Sequence, residues 1–409
     1  MSVASVADLD LKGKRVLVRC DFNVPLREGS AEGAGSGAGS KEAAQVIADP
    51  ARIDASLPTI RHIIGHGGIA ILCSHLGRPK ERSAALSLKP VAAYLSDVLG
   101  RKVALAPDCI GEVAGRMAAD LKPGDALLLE NLRFHREEEA NDPDFAHELA
   151  RGKQVYVNDA FGTAHRAHAS TVGVVAFIAE RAAGFLMMKE LSALEEFTGR
   201  PEHPLVAILG GAKVSDKIGV IRNLVTKVKV DSILIGGAMA YTFLRARGVP
   251  IGRSRVEEDK IELATELMGF AATAGVSFML PLDHVVATAP EANAKVSVAE
   301  IIPPDMMGLD IGPRTIAEFR ERLANARTVI WNGPLGFFEL PAFAGGTLAI
   351  GETVASTPGL RSLIGGGDTA AALGGHPWSD NFTHISTGGG ATLEYLEGLE
   401  LPGVKALER

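Results

Sequence analysis

The chain has 409 residues, which is enough for two or three domains. Its composition, 46% hydrophobic and 22% charged residues, is typical of a soluble globular protein and excludes global disorder. Its 49 acidic against 42 basic residues give a net charge of −7, which argues against a dedicated nucleic-acid-binding protein. The 46 glycines have no collagen-like period, so this excess belongs in turns or ligand-binding loops.

The N-terminal segment predicts no export signal, because Asp8 and Asp10 interrupt the place where an apolar region would be needed. The longest apolar stretch, 171–188, contains charged residues and is too short for a clean membrane span. Three widely spaced cysteines in apolar surroundings predict buried, reduced thiols and no disulfide or metal site: Cys20, Cys73 and Cys109. We therefore expect a cytoplasmic protein without membrane partners.

Short β-branched runs alternate with helical patterns along the whole chain. The predicted strands are, in chain order, 15–20, 69–74, 103–106, 126–129, 154–158, 205–209, 232–235, 277–280, 328–331, 361–364 and 383–386. Helical patterns such as 88–99 and 259–272 lie between them. Several strands are apolar without alternation, as expected for parallel strands that are buried on both faces. The pattern predicts an α/β fold with two doubly wound, Rossmann-like parallel-sheet domains, each with three α/β/α layers.

The domain boundary is predicted at 182–204, where the helix-like segment FLMMKELSALEEF precedes the turn residues TGRP. A helix there would act as a hinge between an N-terminal domain, 1–181, and a C-terminal domain, 205–395. We expect the tail, 396–409, to return toward the first domain. The Gly/Ser/Ala-rich segment 28–44 is predicted to be a flexible surface insertion.

Ligands of open α/β sheets bind beyond the carboxyl ends of the strands, so the residues that follow each strand carry the functional signal. After the first-half strands these residues are mainly polar or cationic: Asp21, Asn23, His75, Arg78, Asn131, Arg133, Asn158, Asp159 and Arg166. Guanidinium groups match carboxylate and phosphate oxygens in pairs. This half therefore favours a small anionic metabolite, although each arginine alone is more typical of a surface ion pair.

Glycine loops follow the second-half strands, at 210–213, 236–237, 332–334, 365–369 and 387–390. Such loops let backbone N–H groups approach phosphates, which favours a nucleotide. Lys213 and Lys217 are spaced to project from one face of a predicted helix. Asp368 suits Mg²⁺, which prefers few carboxylates and several waters. Each feature also has a purely structural explanation. The glycines could form tight turns, the lysines could be solvated surface residues, and Asp368 could be a helix N-cap.

Nine segments of the chain resemble phosphoglycerate kinases. They run in the family's order and cover nearly the whole sequence: RCDFNVP (19–25), SHLGRP (74–79), LLENLRFHREEE (128–139), VNDAFGTAHRAHAS (157–170), LGGAKVSDKIGVI (209–221), GLDIGP (308–313), WNGPLGFFE (331–339), GGGDTAAAL (365–373) and STGGGATLEYLEG (386–398). The resemblance implies reversible phosphoryl transfer between 3-phosphoglycerate and MgATP in glycolysis and gluconeogenesis. It also implies a monomer with small-molecule substrates and no nucleic-acid partner.

The resemblance assigns roles to individual residues. Those implied to bind 3-phosphoglycerate are Asp21, Phe22, Asn23, Arg52, His75, Leu76, Gly77, Arg78, Arg133 and Arg166. Those implied to bind ATP or ADP are Gly211, Lys213, Lys217, Gly308, Asn332, Glu339, Gly366, Gly367, Asp368 and Thr369, with Asp368 as the Mg²⁺ ligand. Those implied to act on the transferred phosphoryl group are Arg52, Lys213, Gly388 and Gly389.

Two departures from the family pattern bear on the site. The insertion lies between Asn23 and Arg52 and affects the expected placement of Arg52, and a GGAMA segment at 236–240 has alanine where the family has a third glycine. Two other functions stay open. A dinucleotide-dependent oxidoreductase is disfavoured because no G-x-G-x-x-G follows a strand with an acidic residue about 20 positions on. A catalytically silent phosphometabolite-binding protein is disfavoured by the intact lysines and Asp368.

Overall fold

A computed structural model describes residues 3–28 and 45–408. The chain forms two compact units. The first unit contains Met1–Glu190 together with Glu400–Arg409, and the second contains Leu191–Leu399. The division falls inside the helix Phe185–Gly199, which is the helix that the sequence suggests as a hinge.

The first unit is built on a six-stranded sheet in which every pair of neighbours is parallel. Its spatial order is Val103–Leu105, Ala126–Leu128, Ile69–Cys73, Arg15–Cys20, Val155–Asp159 and Glu180–Ala183. The register pairs Arg19 with Cys73 and Cys20 with Asp159. The three central strands therefore end at the same edge, and the turns that follow them emerge side by side.

Helices connect these strands and cover the sheet. The α-helices whose residues lie in the first unit are Ala51–Gly65, Lys89–Leu99, Gly111–Ala119, Arg136–Glu139, Pro143–Ala150 and Pro402–Lys405, and the 3₁₀ turns are Val6–Asp8, Ala84–Leu86, Leu132–Phe134, Phe161–Thr163 and Gly173–Ala176. Val16, Leu72 and Val157 of the strands are completely buried in one core cluster with Ile53 and Ile60 of the first helix. This burial explains why the strands read as continuous apolar runs.

The second unit repeats this plan. Its six-stranded sheet is parallel throughout, in the spatial order Ser277–Met279, Ser232–Ile235, Leu205–Leu209, Thr328–Asn332, Arg361–Gly365 and His384–Ile385. Leu209 pairs with Asn332, and Asn332 pairs with Gly365. The shared register brings the glycine loops to one edge of the sheet.

The helices of the second unit lie between these strands in sequence. They are Ile218–Asn223, Met239–Ala246, Ile261–Thr273, Pro313–Ala324, Gly345–Ser356, Gly367–Leu373 and Gly389–Leu396, with 3₁₀ turns Ser215–Lys217, Glu258–Lys260, Pro341–Phe343 and Ser379–Asn381 and a π-helical turn Leu224–Val228. Val206, Leu234, Trp331 and Ile364 of the strands are completely buried in the core, beside Phe319. The predicted fold class of two parallel-sheet α/β domains is confirmed.

Every predicted strand is present, with ends displaced by at most one residue. The structure also contains strands that the sequence pattern missed. These are the edge strand Glu180–Ala183, the antiparallel sheet of Ser297–Ala299, His284–Ala287 and Met307–Ile311, and the hairpin of Leu26–Glu28 with Gln45–Ile47. Most of them have three or four residues, too few to show a period.

The predicted insertion therefore needs one correction. Glu28, its first residue, is the last residue of a strand and pairs with Gln45. Residues 29–44 of the predicted insertion lie outside the described residues. All three cysteines are described, and they are buried free thiols, as predicted. Among the described residues, no helix has the length and apolarity that a membrane crossing requires.

Candidate functional site

At the carboxyl edge of the first sheet, two predicted site residues form an ion pair. Asp21 directly follows the strand Arg15–Cys20, and its Oδ2 lies 3.0 Å from Nη1 of Arg52. Arg52 is the second residue of the helix Ala51–Gly65, and its side chain is 43% exposed. The structure therefore brings Arg52 to the carboxyl edge of the sheet, despite the long segment that separates it from Asn23.

Hydrogen bonds join the turns that follow three neighbouring strands. The N–H of Gly77 donates to Asn23 Oδ1 at 2.8 Å, and the N–H of Phe22 donates to Ser74 Oγ at 2.8 Å. Nη1 of Arg133 donates to the carbonyl of Gly77 at 2.7 Å. Leu76 is tied into the same arrangement through its N–H, which donates to Asn131 Oδ1 at 3.1 Å. These bonds hold the predicted binding residues of different strands in one place.

His75 lies at the centre of this arrangement as a neutral imidazole. It is 5% exposed, and burial together with the charges of four arginines keeps its pKa well below the usual value: Arg19, Arg133, Arg52 and Arg166. Nη2 of Arg19 lies 3.2 Å from Nδ1 of His75. A guanidinium only donates, so Nδ1 accepts and the ring proton is on Nε2. The imidazole can therefore offer an N–H to an anion.

The remaining predicted arginines belong to the same cluster. Burial lowers the pKa of Arg133, the nearby carboxylate of Glu139 opposes this shift, and the charges of Arg166, Arg19 and Arg78 add to it. Glu139 pairs with Arg133 at 3.2 Å. Several like charges at one edge of a sheet are unfavourable unless an anion neutralises them. The cluster therefore has the electrostatic character of an anion-binding site.

Below this surface lies a buried polar network that the sequence analysis did not identify. Arg19 is 1% exposed, and its Nε donates to Ser170 Oγ at 2.9 Å. Ser170 Oγ in turn donates to Glu138 Oε1 at 2.5 Å. Burial lowers the pKa of His168 to about 4, with Arg19 contributing. The available signal was an arginine inside an otherwise apolar strand, RVLVRC.

Asn158 and Asp159 are the last two residues of the strand Val155–Asp159, and both are buried and have structural roles. Asn158 is completely buried and its Oδ1 accepts from the N–H of Ala160 at 3.1 Å. Asp159 Oδ1 accepts from the N–H groups of Leu186 and Met187 at 2.9 and 3.2 Å. Asp159 therefore satisfies the first amides of the helix Phe185–Gly199, whose N-terminus also favours a negative charge.

In the second unit, the glycine loops 210–213 and 332–334 are bonded to each other through their backbones. The N–H of Gly210 donates to the carbonyl of Asn332 at 3.0 Å, and the N–H of Gly211 donates to that of Pro334 at 2.9 Å. Gly333 has φ of +98°, and a Cβ there would lie 2.2 Å from the carbonyl oxygen of Gly210. Glycine is therefore required at this close approach.

Ala238, the departure in the GGAMA segment, sits in ordinary helical backbone at φ −65°. A glycine is not needed there, and alanine causes no backbone strain.

The two lysines occupy different environments. Lys217 is 9% exposed and donates through Nζ to Asn332 Oδ1. Burial lowers its pKa, and the carboxylates of Asp216, Glu397 and Asp368 oppose this shift. Lys213 is exposed and lies before the 3₁₀ turn Ser215–Lys217. The prediction that both lysines sit inside one helix is wrong, because the α-helix begins only at Ile218.

Glu257 holds the lysine-bearing loop in position and was not identified from the sequence. Its Oε2 accepts from the N–H groups of Val214 and Ser215 at 2.5 and 3.2 Å, and its Oε1 accepts from Ser215 Oγ at 2.7 Å. Its own N–H donates to Thr242 Oγ1 at 3.1 Å. Because Glu257 is far from the loop in sequence, no local pattern indicates these bonds.

The glycine loops 332–334, 365–369 and 387–390 also meet. The N–H of Gly333 donates to Thr369 Oγ1 at 2.7 Å, and a Cβ on Gly389 would come within 2.7 Å of the backbone nitrogen of Gly367. Gly366 and Gly388 immediately precede the helices Gly367–Leu373 and Gly389–Leu396. Asp368 is exposed in the first turn of the former.

Gly308 and Glu339 complete the predicted nucleotide-binding set. The N–H of Gly308 donates to Ser254 Oγ at 2.9 Å, and the ring of Tyr241 lies against this glycine. Glu339 is exposed. Nearby, burial raises the pKa of Asp310 to about 7, although its carboxylate accepts from the N–H groups of Gly346 and Ile311.

Comparisons with known proteins agree over the full length of the chain. The family model described as phosphoglycerate kinase matches residues 6–399. Phosphoglycerate kinases of Solibacter usitatus and Chloroherpeton thalassium are 54% and 52% identical to this chain, covering all of it and 100% and 99% of the relatives. The solved structure of phosphoglycerate kinase from Coxiella burnetii superposes with a TM-score of 0.85 at 39% identity, covering 99% of this chain and 98% of that one. The chain belongs to the phosphoglycerate kinase family.

Proposed function

We propose that the chain catalyses reversible phosphoryl transfer between MgATP and the carboxylate of 3-phosphoglycerate, giving MgADP and 1,3-bisphosphoglycerate. The observation that carries this proposal is the arginine cluster around neutral His75 at the carboxyl edge of the first sheet. It occurs in a chain that matches the family over residues 6–399. The reaction places the protein in glycolysis and gluconeogenesis.

In this proposal the first unit binds 3-phosphoglycerate. Arg133, Arg166 and Arg78 hold anionic oxygens through paired N–H groups, and His75 adds its Nε2 proton. Asn23 and Asp21 position the turn and Arg52, as their hydrogen bond and ion pair support. The substrate carries both a phosphate and a carboxylate, so a cluster of several arginines matches its charge.

The second unit binds the nucleotide through its glycine loops. Gly366 and Gly367 offer backbone N–H groups to phosphates, together with Thr369. Gly211 shapes the first loop, because its own N–H donates to the carbonyl of Pro334. In this proposal the nucleoside is contacted by Gly308, Asn332 and the exposed Glu339. Lys217 and Lys213 carry the cationic charge for the phosphate chain.

Asp368 would hold Mg²⁺. Its carboxylate is exposed at the start of its helix, and its charge acts on Lys217. One carboxylate with waters and phosphate oxygens is the donor set that Mg²⁺ prefers, so the residues present fit the ion. When bound, the ion would neutralise charge on the nucleotide phosphates.

The transfer step requires no general base in this chain. The attacking carboxylate is ionised at neutral pH, because its reference pKa is about 4, and has no proton to lose. Catalysis then depends on alignment and on neutralising the transferring group. We assign these roles to Lys213, Arg52 and the backbone N–H of Gly389. Gly388 precedes it at the helix N-terminus, and its own N–H donates to Ser386 Oγ at 3.2 Å.

Since the two substrates bind to different units, transfer requires the sites to approach each other and exclude water. We propose the helix Phe185–Gly199 as the hinge for this closure. It is supported by the position of the division between the units at Glu190 and Leu191, inside this helix.

A coupled assay tests the proposal. Purified protein is mixed with 3-phosphoglycerate and MgATP, and product formation is followed through glyceraldehyde-phosphate dehydrogenase and NADH oxidation. We expect NADH loss that requires every component and that falls at least about a hundredfold in Lys213→Ala, the usual cost of removing a group that stabilises transition-state charge. Lys295→Ala, an exposed lysine of the same unit, is the matched control and should keep full activity. Folded wild-type protein that binds both substrates without turnover would identify a silent binding protein.

We further propose a monomer that works in the cytoplasm. A wheat relative, 51% identical, carries the name cytosolic phosphoglycerate kinase, which supports the location. Sedimentation equilibrium of the purified chain tests the monomer, and a mass of 42.9 kDa is expected.

A further inference from the structure

Three side chains with metal-binding chemistry meet outside the proposed active site. Asp108 and Cys109 follow the strand Val103–Leu105, and His135 follows the neighbouring strand Ala126–Leu128 and the turn Leu132–Phe134. Parallel pairing of these two strands brings both segments to one edge of the sheet. One ligand atom of each residue lies within 4.8 Å of the other two.

We propose that Asp108, Cys109 and His135 form a binding site for a divalent ion of the Zn²⁺ class. A thiolate, an imidazole and a carboxylate are all ligands that Zn²⁺ accepts, and three protein ligands with one open position are a common zinc arrangement. The mixture of sulfur and nitrogen disfavours Mg²⁺ and Ca²⁺, which take oxygen ligands. The site is therefore chemically distinct from the one around Asp368.

The pair of His135 and Asp108 needs only a small movement to hold the ion. Nε2 of His135 lies 2.7 Å from Oδ1 of Asp108. Tetrahedral bonds of about 2.0–2.2 Å would separate these two atoms by about 3.4 Å, so the pair must open by about 0.7 Å. The two side chains are 25% and 31% exposed, which leaves them room to make this small movement.

The charges also balance. Loss of the Cys109 thiol proton to solvent gives one negative charge and Asp108 supplies another, so the dication and its ligands are neutral overall. Arg82 does not occupy the ligand position, because it pairs with the other oxygen, Oδ2 of Asp108, at 2.9 Å. A hydrogen-bonded outer oxygen of this kind is usual for a ligating carboxylate.

Cys109 is thereby distinguished from the other two cysteines. All three are buried, but only Cys109 is grouped with two other metal ligands in the described part of the chain. The sequence prediction of simple buried thiols holds for Cys20 and Cys73 and is incomplete for Cys109. The bond to the ion would also connect the segments that follow two adjacent strands.

Titration of the reduced protein with Co²⁺, in the presence of excess Mg²⁺ to occupy oxygen-only sites, tests the proposal. We expect one equivalent of Co²⁺ to produce a thiolate-to-cobalt charge-transfer absorbance that Zn²⁺ abolishes by displacement. Cys109→Ser should lose this absorbance, whereas Cys73→Ser, which removes an equally buried thiol, should keep it. His135→Gln should weaken Zn²⁺ binding at least about tenfold. Mutation of a residue that only hydrogen-bonds to a metal ligand already lowers metal affinity by about 10–100-fold.

Absence of the absorbance in folded wild-type protein would overturn the proposal, and so would its persistence in Cys109→Ser. If Cys109→Ser does not fold, His135→Gln decides the question because this side chain is partly exposed. Unchanged Zn²⁺ affinity in that variant also overturns the proposal. None of these readouts depends on kinase activity.

Discussion

Arg52 shows how one exposed side chain is placed by a single buried partner. Its guanidinium is 43% exposed, whereas the carboxylate of Asp21 that pairs with it is 9% exposed. The exposed end is available to an anion, and the ion pair fixes the direction of the side chain. Because the guanidinium end of the pair is open to solvent, the pair contributes little to folding, about 0–1 kcal/mol.

We therefore expect Arg52→Ala to lower kcat at least about a hundredfold with almost no change in thermal stability, because it removes the cation that we propose acts on the transferring group. Steady-state kinetics and circular-dichroism melting measure the two effects. Arg61→Ala, on the same helix and also exposed, is the control and should leave kcat unchanged. Near-normal turnover of Arg52→Ala would exclude Arg52 from the transfer step.

Asp159 links a buried charge to the pH dependence of folding. Burial raises the pKa of this carboxyl from its usual value of 3.8 to about 6, despite the N–H donors of Leu186 and Met187. Between these two pKa values the native state holds a proton that the unfolded chain has released. The contribution of Asp159 to stability is therefore largest below pH 4 and is lost as the pH rises to about 6.

Asp159→Asn removes this titration. Relative to wild type, we expect the variant's free energy of unfolding to improve by about 2–3 kcal/mol between pH 4 and pH 7, following a pKa shift of roughly two units. Denaturant unfolding of both proteins across this pH range measures the difference in their free energies of unfolding. The contributions of all other titrating groups cancel in this difference. Parallel pH profiles for the two proteins would show that Asp159 keeps an ordinary pKa.

At the scale of elements, the loop between the strand Leu205–Leu209 and the helix Ile218–Asn223 depends on a distant carboxylate. Glu257 accepts three hydrogen bonds from Val214 and Ser215, and Lys213 directly precedes these two residues. Its backbone is in turn bonded to Thr242 of the helix Met239–Ala246. In the proposed mechanism Glu257 therefore acts as a positioning residue for Lys213.

We expect Glu257→Ala to lower kcat about tenfold to a hundredfold, because a misplaced group loses much of its effect on the transition state. In a Lys213→Ala background the same change should have little further effect, since both act on one interaction. A double-mutant cycle in kcat measures this coupling. Glu257→Gln retains one acceptor oxygen and should recover part of the activity. If the two substitutions lower kcat independently, so that their fold-changes multiply in the double variant, the positioning role is contradicted.

At the scale of the whole molecule, the last residues of the chain fold with the first unit. Leu401, Val404 and Leu407 are at most 4% exposed, and the N–H of Gly403 donates to the carbonyl of Ala164 at 2.8 Å. Nη2 of Arg181 also donates to the carbonyl of Glu408 at 2.7 Å. The first unit is thus built from both ends of the chain.

Deletion of residues 400–409 should destabilise the first unit by several kcal/mol, because each buried apolar side chain contributes about 1.5–3 kcal/mol. Thermal melting and denaturant unfolding would detect the loss. Leu399→Ala is the control, since Leu399 is 51% exposed and should cost little. Unchanged stability of the truncated chain would mean that these contacts add nothing to folding.

Hinge closure is the second prediction at this scale. Small-angle scattering should show a smaller radius of gyration when 3-phosphoglycerate and a nonhydrolysable MgATP analogue are both bound than in the free protein. Either ligand alone serves as the control and should give a smaller change. An identical radius of gyration in the free and doubly bound states would count against closure about the helix Phe185–Gly199.

Local sequence determined the positions of the loops and the strands of the two parallel sheets, with the exception of Glu180–Ala183. Buried parallel strands are continuous apolar runs, and glycine or arginine directly after them marks the carboxyl edge, so both signals are local. The antiparallel strand Ser297–Ala299 carried no such signal because it is short and largely exposed. Strand Glu180–Ala183 was missed because it has only four residues and begins with the charged pair Glu180 and Arg181.

Tertiary structure decided the contacts between residues that are distant in sequence. Only the fold places Arg19 beneath His75, Glu257 against the lysine loop, and Cys109 beside His135. Their residue types are common, and no period or spacing in the sequence relates them. Hydrogen bonds and ion pairs act over about 3 Å, so they depend on how strands and helices pack, whereas the hydrophobic pattern of a strand is written in its own residues.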